Sequence, residues 1–139
     1  MRGIAIQHFQ EIEHAADWAF RAHGCDLAQL FANAARGMFE LQVGAGSAET
    51  NVARGVAVSG VDRETLLVNW LNELLYLQET QHEAYSRFEI LEISDTHLQA
   101  RVHGRPYRPE GKLIKAVTFH DLMVRQSEDG WEATIVVDV

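Results

Sequence analysis

Apolar and polar positions alternate in two short stretches near the start of the chain. Phe9-Gln10-Glu11-Ile12-Glu13 and Trp18-Ala19-Phe20-Arg21-Ala22-His23 both have the two-residue period of a half-buried strand, and Gly24 ends the second. The period then changes. Leu27, Leu30, Phe31, Ala34, Ala35, Met38, Phe39 and Leu41 fall at helical spacing, with Asp26 placed to accept from the free N–H groups of the first turn. Gly37 inside this helix points to a close approach of helix and sheet. The helix stops at the loop Gly44-Ala45-Gly46-Ser47, and a strand over 52–60 follows with a bulge expected at Gly55.

Asp62 caps a second helix that runs to about Gln78. Its apolar set (Leu66, Leu67, Val68, Trp70, Leu71, Leu74, Leu75, Tyr76, Leu77) is too broad for one buried side. Asn69, Asn72 and Glu73 interrupt it, with Asn72 and Glu73 expected to cap or brace neighbouring backbone. Ser86–Ile93 and Leu98–Gly104 read as a hairpin, and 105–112, with both prolines, as a loop. For 114–119 periodicity does not separate strand from short helix. His120–Gln126 and Trp131–Val137 read as strands joined at Asp129-Gly130, a strong hairpin signal. The order β-β-α-β-α followed by strands lacks βαβ alternation. It predicts a single α+β domain over 1–139, a mixed or antiparallel sheet with two main helices packed on it, and residues 1–8 as an added or frayed start.

Composition sharpens this picture at a few points. At 139 residues and 47% hydrophobic, the chain buries a core and is not disordered. No apolar run reaches the ~20 residues of a membrane span, and the first residues are too quickly polar for a secretory signal, so the expected location is cytoplasmic. Cys25, the one cysteine, has no internal disulfide partner and is expected as a small packing residue. A net charge of -8 argues against direct nucleic-acid binding and for cations or a basic partner.

There is no phosphate-binding glycine loop, nucleophile elbow or cysteine pair. What remains is a set of acids and histidines: Glu13, His14, Asp17, His120, Asp121 and Asp138. Asp17, with Asp138 and Val139 at the chain's end, offers the carboxylate and carbonyl oxygens that a hard cation takes. Each acid alone has an ordinary explanation, as a turn residue or a solvated chain end. His14 and His120 are candidate ligands or acid–base groups, against the simpler role of bonding a backbone carbonyl. Lys115 is a candidate phosphate or carboxylate partner, against the simpler role of guarding a sheet edge. Trp70 is expected in the core.

Four regions together resemble the archease family. Glu13-His14-Ala15-Ala16-Asp17 is similar to its opening motif and residues 30–39 to its first helix. Trp70-Leu71-Asn72-Glu73-Leu74-Leu75-Tyr76-Leu77 is similar to its second helix, and 114–122 with 131–139 to its C-terminal strands. The resemblance runs from Phe9 to the end. It implies a non-enzymatic accessory factor that activates an RtcB-type RNA ligase in RNA repair and tRNA splicing, by promoting guanylylation and repeated turnover. It also implies a divalent metal ion, with calcium expected and magnesium or manganese as alternatives, held by Asp17, Asp138 and Val139. His14, Lys115 and His120 would meet partner or ligand. Ala15 stands where the family usually has Thr, and Phe119 where it often has Tyr. Loss of the hydroxyl beside Asp17 implies weaker metal binding. The competing readings are a stand-alone metal-dependent phosphoesterase or hydrolase, and a chaperone-like partner of RNA-modifying enzymes that docks through the second helix. Burial of Trp70 and Tyr76 would count against the docking patch.

Overall fold

The computed structural model describes residues 9–13, 18–43, 50–108 and 114–139. Its elements follow in the order β1 (Phe9–Glu13), β2 (Trp18–Gly24), α1 (Leu27–Val43), β3 (Val52–Ser59), α2 (Arg63–Gln81), β4 (Glu83–Ile93), β5 (His97–Pro106), β6 (Ala116–Ser127) and β7 (Gly130–Asp138). All described pairings are antiparallel. The strands divide into two sheets, one of four strands in the order β1-β2-β7-β6 and one of three in the order β3-β5-β4.

The helices lie between these sheets. α1 packs on β2 of the larger sheet and β4 of the smaller, and α2 packs on β6 and β3. This explains the wide apolar face of α2. Leu66, Leu67, Val68, Trp70, Leu71, Leu74 and Leu75 are all buried because the helix has a sheet on each side. Trp70 is fully buried, as expected, and its indole N–H donates to the Phe31 carbonyl of α1 at 3.0 Å. The ring of Phe88 on β4 meets it edge-on.

Both expected caps form. Asp26 Oδ1 accepts from the Gln29 N–H at 2.7 Å, and Asp62 Oδ1 from the Thr65 N–H at 2.8 Å, which holds the Asp62 carboxyl below its ordinary range. α2 ends at His82, whose left-handed backbone lets its N–H reach the Gln78 carbonyl. The Asp129-Gly130 turn closes the β6–β7 hairpin with Gly130 at φ 120.

Two expectations need correction, and one open choice is resolved. β3 pairs with β5 in unbroken register from Val52 to Ser59, so there is no bulge at Gly55. The irregularities of this sheet lie in β4 instead, between Tyr85 and Arg87 and between Ile90 and Glu92. The segment after 114, which periodicity left open between strand and helix, is part of one long strand, because Asn72 and β7 hold its backbone from either side. Cys25 is exposed rather than packed, since it lies in the β2–α1 turn.

Candidate functional site

Sheet pairing fixes the end of β7 from both flanks. Trp18 of β2 pairs with Val137 on one side, and Val117 of β6 pairs with the same residue on the other. Ala116 pairs with Asp138, and the Lys115 N–H donates to the Asp138 carbonyl at 2.7 Å. β6 is an edge strand, so its outward backbone groups need other partners. Asn72 of α2 supplies them. Its Oδ1 accepts from the Val117 N–H at 2.8 Å, and its Nδ2 donates to the Val117 carbonyl at 3.1 Å. The amide thus stands in for a further strand, and the expected brace is confirmed for Asn72. The Glu73 side chain makes no hydrogen bond to a described residue.

The end so positioned carries Asp138, which is exposed, and Val139, which is half-buried against the core. The Asp138 carboxylate has no hydrogen bond or ion pair with a described residue, and the Lys115 side chain is likewise exposed without one. Asp17 and His14 lie outside the described residues, as do Ala15 and Ala16. Among the described residues no group of three His, Cys, Asp or Glu side chains is set to hold a metal. The described half of the candidate site fits a hard cation in its chemistry: a carboxylate without a partner among the described residues, beside backbone oxygens at a strand end.

His120 does not join this strand end. Between the rungs Thr118↔Val136 and Met123↔Thr134, the residues Phe119, His120, Asp121 and Leu122 stand against Ile135 alone. Asp121 takes the left-handed conformation at φ 53 to make this bulge. His120 points outward there, its N–H donating to Thr118 Oγ1 at 3.3 Å and its Nε2 lying 3.2 Å from Asp121 Oδ2. Its partner is thus a carboxylate and not the backbone carbonyl of the simpler expectation. Phe119 is 59% exposed in the same bulge.

Two features escaped sequence reading. Gln42 and Gln78 exchange amide hydrogen bonds at 3.2 and 3.1 Å, and Gln42 Oε1 also accepts from the Ile114 N–H just before β6. Gln78 is buried, and a lone amide on the apolar side of a helix was its only signal. A groove of about 430 Å³ runs along α2, lined by Ser59, Asn69, Asn72, Glu73 and Tyr76 among others. Tyr76 is 59% exposed beside it, whereas Trp70 is buried, so only Tyr76 of that pair belongs to the surface.

Comparison with known proteins decides the family. The model of the Archease protein family (MTH1598/TM1083) matches residues 9–139, all of the chain beyond its first eight residues. The chain belongs to the archease family. The archease of Methanosarcina acetivorans is 37% identical over 139 residues, 94% of this chain and 95% of that one. The archease of Pyrobaculum islandicum is 36% identical over 91% of this chain and 92% of its own length. Among solved structures, the solution structure of protein 1598 of Methanobacterium thermoautotrophicum matches with a TM-score of 0.76 at 30% identity, over 96% of this chain and 99% of that one. The crystal structure of a Thermotoga maritima archease, described as a possible chaperone, matches with a TM-score of 0.64 at 23% identity, over 94% and 96% of the two chains, and supports the archease fold alone. No helix among the described residues of this archease is long and apolar enough to cross a membrane.

Proposed function

We propose that this archease is a cytoplasmic accessory factor, not itself an enzyme, which activates an RtcB-type RNA ligase by promoting its guanylylation. In this reading a divalent ion, calcium or one of its hard relatives, is held by Asp17, Asp138 and oxygens of Val139. The observation that carries the reading is the rung Trp18↔Val137. Asp138 is the next residue on β7, and Asp17 precedes Trp18 in the sequence. Family membership supplies the candidate partner.

The chain's own residues would act by position. β2 and β6 hold the β7 end between them, and Asn72 ties β6 to α2, so the Asp138 carboxylate meets an ion with little loss of freedom. The ion supplies positive charge that polarises phosphate oxygens or organises them at the ligase. Lys115, exposed beside Asp138, is placed for an anionic group of the ligase or its nucleotide. The net charge of -8 steers the protein toward a basic partner surface. Guanylylation of a cognate ligase should rise with the wild-type protein and not with Asp17→Ala or Asp138→Ala. Full stimulation by both variants would overturn the reading.

The chaperone-like alternative keeps one specific support, the exposed Tyr76 beside the α2 groove. Tyr76→Ala separates the two readings: it should impair a general docking function and leave metal-dependent stimulation of the ligase in place.

A further inference from the structure

The net charge of this archease is acidic, but the charge is not spread evenly. In β5 the residues Leu98, Ala100, Val102 and Gly104 face the core, so His97, Gln99, Arg101, His103 and Arg105 face outward. Arg101, His103 and Arg105 form a row along the strand, each step about 6.6 Å. Arg87 stands across from His103 on β4. All the fixed cations of this row are arginines, whose planar guanidinium takes a phosphate in two parallel hydrogen bonds. Arg101 is exposed and stands across from Glu89 on β4, close enough that its charge helps hold that carboxyl below its ordinary value, but its side chain forms no direct hydrogen bond with a described residue. Arg105 stacks its guanidinium over the Tyr107 ring, 5.7 Å from the centroid. Two carboxylates share this face: Glu89, paired across the strands with Arg101 and engaged by His103 Nε2 at 2.5 Å and Arg87 Nη2 at 3.9 Å, and Glu92, paired with Gln99 one step along.

A second observation comes from β3, which borders this row. Its outward residues are Ala53, Gly55, Ala57 and Ser59, so the sheet surface beside the arginines is bare. Gly55 pairs with Arg101. Glycine in a strand weakens it, and is kept for a bulge, a tight bend, or the close approach of a ligand or another chain. The register is unbroken at Gly55, its φ is not left-handed, and a Cβ added there would meet nothing within 4 Å. The open space over Gly55 leaves room for a close approach.

We propose that the outer face of β3-β5-β4 binds a single strand of RNA by its phosphates, with Arg101, Arg105 and Arg87 as the anion contacts and Gly55 as the point of closest backbone approach. One row of guanidiniums beside a bare strand suits a single strand, which leaves room for ribose and base over Ala53, Gly55 and Ala57. The choice of RNA among phosphodiesters rests on the ligase reading above; the phosphate chemistry does not. This face revises the expectation drawn from net charge, because phosphate binding is governed by local arginines and not by the sum over the chain.

Fluorescence anisotropy of a labelled oligouridylate of about ten nucleotides tests it, with the full chain and no ligase present. Binding should be weak, with Kd on the order of 10⁻⁵ M near physiological salt, and should fall with salt at a log–log slope of about -2 for three phosphates. Arg101→Gln should reduce that slope by about 0.7. Gly55→Val should weaken binding severalfold while its melting temperature stays at or above that of wild type. Glu89→Gln, which removes one opposing charge, should tighten it. No salt-dependent binding at low salt, unchanged affinity in both Arg101→Gln and Gly55→Val, or equal binding of polyglutamate would each overturn the assignment. Because the assay contains no ligase, a failure here is distinct from a failure of guanylylation.

Discussion

The two sheets of this archease share one helical layer and present opposite chemistry. The four-stranded sheet ends in an exposed acid at Asp138 and breaks its edge strand with the bulge around His120 and Asp121. The three-stranded sheet carries arginines on its outer face beside the unbroken β3–β5 ladder. None of the stretches that resemble the family's motifs lies in β3, β4 or β5. Motif resemblance therefore speaks to the acidic end alone, and the basic face is visible only once register shows which side chains share a side. Two functions of opposite charge can sit on one small domain when a common core separates them.

The test with the largest expected effect asks whether that core really is common. Trp70 touches α1 through its hydrogen bond to Phe31 and β4 through Phe88. Trp70→Ala should cost about 3–5 kcal/mol, a large share of the roughly 5–15 kcal/mol that holds a typical domain. Urea unfolding followed by hydrogen exchange should show both sheets losing protection together. Survival of one sheet would split the molecule into independent units and break the comparison.

Asn72→Ala should act on one sheet only. It strips two hydrogen bonds from the backbone of Val117, a buried residue, and leaves both groups without a partner. The expected cost is about 1–3 kcal/mol. Amide exchange should quicken along β6 while the β3–β5 ladder keeps its protection. Ligase stimulation should fall as well, since the strand that positions Asp138 is loosened. Equal loss of protection in both sheets would show that the brace belongs to the whole core.

How much of this was legible beforehand follows from the range of each interaction. The caps at Asp26 and Asp62 and the Asp129-Gly130 turn are local, so residue type and spacing declared them. The broad face of α2 announced burial on more than one side, but not that two sheets supply it, because strand partners are chosen at long range. The bulge was misplaced at Gly55 because a lone glycine in a strand marks either a bulge or an open approach, and only the register separates them. The irregularities that do form, in β4 and at 119–122, contain no glycine, and at 119–122 Asp121 takes the left-handed backbone itself. At the candidate site Asp138 and Lys115 were named and do lie at one strand end, while His120 was named and sits in the bulge. Asp17 and His14, with Ala15 beside them, fall outside the described residues.

Acid should separate the sheets by a smaller margin. Glu83, at the start of β4, is 7% exposed. It takes Arg54 Nε at 2.6 Å and Nη2 at 2.9 Å, and accepts from the Tyr85 hydroxyl at 2.7 Å. The Arg54 hydrogen bonds hold its carboxyl below the ordinary value of 4.5, against the opposing effect of burial. A carboxyl lowered by folding contributes stability that is fully present above its unfolded pKa, and that is lost as pH falls through the lower folded one. Stability should therefore decline below about pH 4.5, and Glu83→Gln should flatten that decline at a cost of about 1–2 kcal/mol, Arg54 being partly screened by solvent. The corresponding pair of the other sheet, Glu132 with Arg125, is more open to solvent and its loss should alter the profile less. An acid profile that follows Glu132→Gln instead would reverse this ranking.

The smallest effect decides between packing and function for the basic face, and it is a difference in sign. Gly55 and Gly104 lie in adjacent strands of one sheet. A Cβ at Gly104 would overlap the Ala84 carbonyl oxygen, so packing alone requires glycine there, and Gly104→Ala should destabilise the protein. A Cβ at Gly55 meets nothing, so Gly55→Ala should stabilise it by about 0.5–1 kcal/mol, the gain of replacing glycine within a strand. Paired thermal melts read both signs directly. If Gly55→Ala also destabilises, some demand of the fold itself keeps the glycine, and the argument for a ligand over β3 loses its second support. If it stabilises, the native chain forgoes that stability to keep Gly55 bare beside Arg101, and a need outside the folded domain is the remaining reason for the glycine.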